Sequence, residues 1–450
     1  MTLPTTGQLR CFAPRATDTE TASMTVTAPP SDTPRHPPRV PRPSPVPRVT
    51  DERVVRRAAE LSGAEFWQAV EREGTPLTGP DPYGAADHAL VTFLWRGSPA
   101  TRAVLVSPNK LADPRDPAGN LMERVPGTDV WHWSVRMRQD WHATYTLCVD
   151  EGDGPADDAA AYWPWLRTQQ RVDPFNPHSL ASRWGGAPAS CVVLSGAPDS
   201  TEWRERPGVP RGTVSVHTVR SALVGNERRV WRYVAAGGAA AGAELPVLVL
   251  LDGEMWQPGL DVATALDNLV ADGRIPPLVA LLPESLGADT RWAEMTCDPR
   301  FTGFLTDELL PWAGAELPLT ADPARTVVAG QSLGGLTAAY AAVSAPGRFG
   351  CVLAQSGSFW WPNGPGAQWL TGRIAESPRL PVRFRLSAGE QEWVALPANR
   401  RLRDTLAAKG YTDVVYREFN GGHDYLCWRS ELVDGLCDLL GPGTAGPSAG

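Results

Sequence analysis

Two hydrophobic periods divide the chain. Residues 51–74 set Val54, Val55, Ala58, Leu61, Phe66, Trp67 and Val70 at helical spacing and predict a helix. From residue 89 the period shortens to two. The runs 89–96, 103–106, 130–137 and 144–149 read as strands, and short strands at close spacing predict an antiparallel β-sandwich. From Asp173-Pro174-Phe175-Asn176-Pro177 to about residue 210 the chain is rich in Gly, Pro, Ser and Arg and reads as an interdomain connection. Runs at 213–219 and 227–233 then predict an antiparallel edge. Long apolar runs follow, of the kind that buried parallel strands require: 246–251, 277–282, 326–329, 350–354 and 382–386, with a last strand at 414–419. Helical patterns at 261–272, 301–317, 336–345 and 398–409 separate them. Alternating strand and helix predicts a doubly wound α/β domain.

These patterns divide the chain into five segments. A disordered tail is expected over 1–50, a β-sandwich domain over 51–190, a linker over 191–210, an α/β domain over 211–442 and a second disordered tail over 443–450. The first 50 residues are dominated by Pro, Thr, Ser and Arg and bury too little apolar surface to offset their ordering entropy. Eighteen tryptophans, many in the first half, suggest an aromatic-rich core, with Trp131 and Trp133 as candidates for ligand contact. The formal charge of −8 argues against nucleic acid as a partner, and an anionic substrate would need local arginines working against the overall field. Seven cysteines, an odd number without a Cys-x-x-Cys pair, point to buried free thiols in a reducing compartment. No signal-type apolar core precedes residue 20 and no run approaches the ~20 apolar residues of a membrane span. A cytoplasmic location without a membrane partner is expected.

The chemistry concentrates at Gly330-Gln331-Ser332-Leu333-Gly334-Gly335. An apolar β-branched run stops there and an alanine- and leucine-rich helix begins. Gly-x-Ser-x-Gly between strand and helix is the context in which a sharp turn lifts a serine hydroxyl above a sheet edge. In α/β-hydrolases the order is serine, acid, histidine. After the last strand comes Asn420-Gly421-Gly422-His423-Asp424, and His423 is the only histidine after His217. It is the candidate base. The preceding strand ends in Gly389-Glu390-Gln391-Glu392, which offers Glu392 as first choice for the orienting acid and Glu390 as reserve, with a Ser–His dyad also open. An oxyanion hole needs two backbone N–H groups: Leu333 follows the nucleophile, and Gly253 lies on the loop after an early strand. The fold class is thus an α/β-hydrolase domain preceded by an antiparallel β-sandwich and a proline-rich tail.

Several segments together resemble the enterochelin (enterobactin) esterase family. They are Leu251-Asp252-Gly253-Glu254-Met255-Trp256, Arg291-Trp292-Ala293-Glu294-Met295, Gly330 to Gly335, Gln355-Ser356-Gly357-Ser358-Phe359-Trp360-Trp361 and Asn420 to Arg429. In the first half, Gly127 to Trp133 and Asp173 to Pro177 are similar to the family's N-terminal domain. The resemblance covers about residues 89–440 and leaves the first 50 without a counterpart. It implies a cytoplasmic serine esterase that cuts the trilactone backbone of a ferric catecholate siderophore, with Ser332 as nucleophile, His423 as base and Glu392 as acid. The loop between acid and histidine is one residue longer than the family's. The substrate is a polyanion, so Arg291 becomes a candidate for binding it, and Trp360 and Trp361 become candidates for stacking on catechol rings. The iron belongs to the substrate, and no cofactor or metal of the enzyme's own is expected. Two other readings stand beside this one: a different carboxylic-ester hydrolase or acyltransferase, such as one for feruloyl or acetyl esters, and a binding protein that retains the pocket. The second does not need a serine on a strained turn.

Overall fold

The helical period at 51–74 forms two helices, Glu52–Glu60 and Gly63–Glu73. Ser62 separates them. Its side chain caps the second helix through the Glu65 N–H, and Glu65 returns the bond to the Ser62 backbone. Val54, Ala58, Phe66, Trp67 and Val70 bury one stripe against Leu77, Leu94, Val125 and Val130. The computed structural model that shows this describes residues 29–30, 33–155, 158–238 and 244–443.

Two antiparallel sheets follow. One runs Leu77–Pro80, His88–Arg96, Val130–Arg138, Glu123–Arg124. The other runs Ala103–Pro108, His142–Asp150, Ala189–Val193, Ser179–Leu180, with Gln170–Arg171 also paired to the second strand. Alternate residues of both sheets, among them Val91, Phe93, Trp133, Val104, Tyr145 and Leu147, share one core. Trp133 is fully buried and donates to the Gly119 carbonyl at 3.0 Å. Trp131 faces Trp95 across the strand pair. Both are sandwich residues and neither reaches the cavity described below. Ala189–Val193 runs across residue 190, where the sequence pattern ended the domain, because Val192 and Leu194 complete the core.

The second sheet system has eight strands in the order Thr213–Ser221, Asn226–Val234, Val279–Pro283, Val247–Leu250, Thr326–Gln331, Cys351–Gln355, Arg383–Gly389, Val414–Phe419. Asn226–Val234 pairs antiparallel with both of its neighbours, and the remaining pairings are parallel. Val247 and Val249 face one apolar cluster and Leu248 and Leu250 the other, which is why these strands read as unbroken apolar runs. The helical run near 301–317 is Pro299–Gly303, a π-helical turn Phe304–Leu309 and Leu310–Gly314. A final helix, Tyr425–Leu440, covers the sheet with Leu432, Val433, Leu436 and Leu439. No helix of the described residues is long and apolar enough to cross a membrane.

The expectation of a disordered tail needs correction over residues 33–50. Residues 1–28 and 31–32, and 444–450 at the other end, lie outside the described residues. Residues 33–50 lie against the body. Val46 packs on the sandwich core, Arg136 N–H donates to the Pro47 carbonyl at 2.9 Å, and Val49 N–H donates to the Ser134 carbonyl at 3.1 Å. Seven prolines between 33 and 50 leave little backbone entropy to lose on docking, so a few contacts suffice.

Candidate active site

Ser332 joins strand Thr326–Gln331 to helix Leu333–Ser344 with φ 60° and ψ −121°. For a residue with a Cβ this is a strained backbone, and it holds the side chain out of the turn. The turn closes because a Cβ on Gly330 would stand 2.5 Å from the Gly334 backbone. The Leu333 N–H opens the helix and has no acceptor within it. The Ser332 hydroxyl meets Ser358 Oγ at 3.4 Å, and this, not His423, is its hydrogen-bond partner.

His423 Nδ1 lies 2.5 Å from Glu392 Oε2. Glu392 is buried, and its other oxygen accepts from Ser356 Oγ at 2.5 Å and from the Gly389 N–H at 2.9 Å. Burial works to raise the Glu392 pKa. The charge of His423 and the hydrogen bonds from His423, Ser356 and Gly389 outweigh it and hold the carboxyl below its ordinary value. Glu390, the reserve acid, points away: it forms an ion pair with Arg138 of the sandwich at 3.0 Å.

The sandwich also holds the histidine loop. Asn109 Nδ2 donates to the His423 carbonyl at 2.9 Å, and the His423 N–H donates to Asn109 Oδ1 at 3.0 Å. Asp424 accepts from the Thr144 N–H and hydroxyl at 2.5 and 2.7 Å. A Cβ on Gly422 would stand 2.6 Å from the Asn109 carbonyl oxygen, so the glycine permits the close approach of the two parts. Asn109→Ala is expected to cost about 1–3 kcal/mol of stability by leaving two backbone groups unpaired. It should also lower kcat about ten- to hundredfold through misplacement of the imidazole, with a smaller change in KM. Asn109→Asp keeps the acceptor for the His423 N–H and should fall between alanine and wild type. Equal loss in kcat and KM, or none, would contradict a positioning role.

Ser332, Leu333, Glu392 and His423 open onto one cavity of about 1030 Å³. Arg291 and Trp360 line it, beside Trp292 and Trp393. Trp361 does not: it is fully buried and packs against Trp369. Arg291 is the expected anion-binding residue, and Glu294 lies three residues on, within reach of an i,i+3 ion pair. Its guanidinium instead forks onto Asp252 at 2.6 and 2.8 Å, while Glu294 pairs with Arg228 at 2.6 Å. Asp252 is buried and also meets Arg183, brought from residues before the α/β sheet, at 3.1 Å. Gly253 packs on the neighbouring strand, where a Cβ would stand 2.3 Å from the Leu282 carbonyl oxygen, and it is not among the cavity residues. Asn109, Ser358, Trp393 and Lys110 are cavity residues that sequence reasoning passed over. Only Ser358, inside a quoted motif, carried a sequence signal.

Burial pushes the Asp252 pKa up, but the charges of Arg183 and Arg291 prevail and hold it below the ordinary value. Two depressed carboxyls give a defined pH dependence. The stability they contribute is fully present above the ordinary carboxylate range, about pH 4, and is lost as pH falls through their lowered values. The urea midpoint should therefore be flat near neutrality and fall steeply below that range, and less steeply in Glu392→Gln. A midpoint independent of pH there would contradict the pairing.

Comparison with known proteins places the chain. The family model described as "Enterochelin esterase, N-terminal" matches residues 90–203, and the one described as "Putative esterase" matches 226–439. The chain is 34% identical to an iron(III) enterobactin esterase of Dickeya dadantii, over 83% of this chain and 92% of that protein. A crystal structure of the ferric enterobactin esterase of Salmonella typhimurium superposes with a TM-score of 0.74 at 32% identity, covering 84% of this chain and 98% of that one. The enterobactin esterase of Shigella flexneri, crystallised in the presence of enterobactin, gives 0.72 at 32% identity, with the same two coverages of 84% and 98%.

Proposed function

The chain belongs to the enterochelin esterase family, and from that premise we propose that it is a serine carboxylic-ester hydrolase that opens the trilactone backbone of ferric catecholate siderophores such as enterobactin. The observation that carries the reading is a serine on a strained elbow sharing one cavity with a histidine held by a buried glutamate. In this reading Ser332 Oγ attacks an ester carbonyl while His423 Nε2 takes its proton. Glu392 keeps the Nδ1 proton in place and stabilises the imidazolium. The tetrahedral oxyanion forms beside the Leu333 N–H. Leu333 opens onto the cavity, whereas Gly253, the second expected donor, is not among the cavity residues. Collapse breaks the ester C–O bond, and the imidazolium protonates the departing alkoxide oxygen. Water, deprotonated by His423, then attacks the acyl-serine, and the imidazolium returns that proton to Ser332 Oγ as the acid leaves. The mechanism asks Ser332 Oγ to exchange Ser358 for His423, a contact that tightens in complexes.

The first cut leaves a linear, less pre-organised trimer, and cutting the remaining esters turns one hexadentate ligand into separate catecholate arms, which bind iron less tightly. The iron is cargo of the substrate. The reading places this release in the cytoplasm, in line with the buried free cysteines 148, 297, 351 and 427. The test is hydrolysis of ferric and iron-free enterobactin by the purified protein, resolved by chromatography. Release of linear trimer, dimer or monomer is expected. A surviving trilactone beside efficient cleavage of a neutral aryl ester would keep the hydrolase and sink the siderophore reading.

A further inference from the structure

The active-site cavity has a wall outside both matched family regions. Residues 36–40, His36-Pro37-Pro38-Arg39-Val40, line it together with Ser332 and His423, whereas the family models begin at residue 90. We propose that the proline-rich segment 33–47 is a fixed wall of the substrate cavity and that Arg39, carried on it, determines specificity for polyanionic esters. The proposal rests on the siderophore reading for its substrate class.

The segment is fastened on both sides of the cavity. On the α/β side, Asn363 Nδ2 donates to the His36 carbonyl at 3.1 Å and Trp393 Nε1 to the Val40 carbonyl at 2.9 Å. On the sandwich side, the Arg42 N–H donates to Asp113 at 3.0 Å and its guanidinium to the Leu111 carbonyl at 2.9 Å. Proline-rich backbone is extended and pre-ordered, so these points hold it as a strap.

The cavity's charge is the second observation. Arg39, Lys110, Arg115 and Arg167 all line it, and among the described residues none of them forms an ion pair with a carboxylate. Arg115 and Arg167 reach only the carbonyls of Arg39 and Pro114, and Lys110 lies over the Trp393 ring. The lining carboxylates are Asp113, which accepts the N–H groups of Arg42 and Arg115, and Glu392, which is spent on His423. A protein of net charge −8 thus keeps surplus cations at one cavity. Six phenolate oxygens around trivalent iron make the ferric siderophore a net trianion, and a cavity of one sign concentrates the opposite charge.

The test uses the full chain with Arg39→Glu, and with Arg56→Glu as a charge-matched control on the exposed side of helix Glu52–Glu60. The quantity is the ratio of kcat/KM for ferric enterobactin to that for a neutral aryl ester. Arg39→Glu should lower it about tenfold or more, chiefly through KM and less so at high salt, while Arg56→Glu leaves it unchanged. A ratio within twofold of wild type for Arg39→Glu would overturn the proposal. Equilibrium dialysis of ferric enterobactin separates this from failure of the siderophore reading. If wild type binds the ferric complex without cleaving it, and Arg39→Glu binds about tenfold more weakly, the cavity wall stands and the siderophore hydrolysis falls. If wild type does not bind it, the wall proposal falls as well.

Discussion

Replacing Ser332 by alanine is expected to lower kcat for ester hydrolysis by about 10⁴-fold or more and to leave binding of the ferric siderophore intact. The side chain contributes one hydroxyl, whose hydrogen-bond partner is Ser358 at 3.4 Å. Its removal takes the nucleophile and nothing else from the cavity, while the Leu333 N–H and the cation-lined wall remain. Residual turnover would then report what oxyanion stabilisation and binding achieve with water as nucleophile. Initial rates on enterobactin and on a neutral aryl ester, with dialysis for binding, check it. A Ser332→Ala protein that retains more than about a hundredth of wild-type kcat would remove serine catalysis from the reading.

The second large effect is expected at Glu392. Glu392→Gln keeps the shape, and its amide oxygen still accepts from Ser356 and Gly389, which now bond Oε1. The oxygen that meets His423 Nδ1 at 2.5 Å becomes the critical loss. An amide cannot stabilise the imidazolium and permits the wrong tautomer, so kcat should fall about 10³- to 10⁴-fold with little change in KM. Glu390→Gln provides the contrast. It loses a half-exposed ion pair to Arg138, an interaction of about 0–1 kcal/mol, and should change kcat only a few-fold. The reverse order of the two variants would exchange their assigned roles.

The resemblance to siderophore esterases, carried by motifs spread over both halves of the chain, agrees with the family models and the relatives. Those motifs are contiguous, and each holds its meaning in a few neighbouring residues. The strap of residues 33–50 was misread because composition reports the apolar area a segment can bury and not the carbonyls that Trp393 and Asn363 can reach. Trp360 and Trp361 are adjacent, chemically the same and both buried in one core cluster, yet only Trp360 also lines the cavity. Which of two neighbours on a loop reaches a cavity is decided by what packs there, which no local pattern encodes.

The periodicity of the chain determined its layers, because side chains alternate at 2.0 residues in strands and 3.6 in helices whatever lies beyond them. The glycines around Ser332 determined the elbow, because only residues without a Cβ allow that strand and helix to approach. The tertiary structure alone decided the partners. Arg291 joined Asp252 across 39 residues, Asn109 met His423 across 314, and Glu392 faced the imidazole while Glu390 crossed to Arg138. Hydrogen bonds and ion pairs act over about 3 Å of space, and sequence separation has no bearing on that distance until the fold has closed.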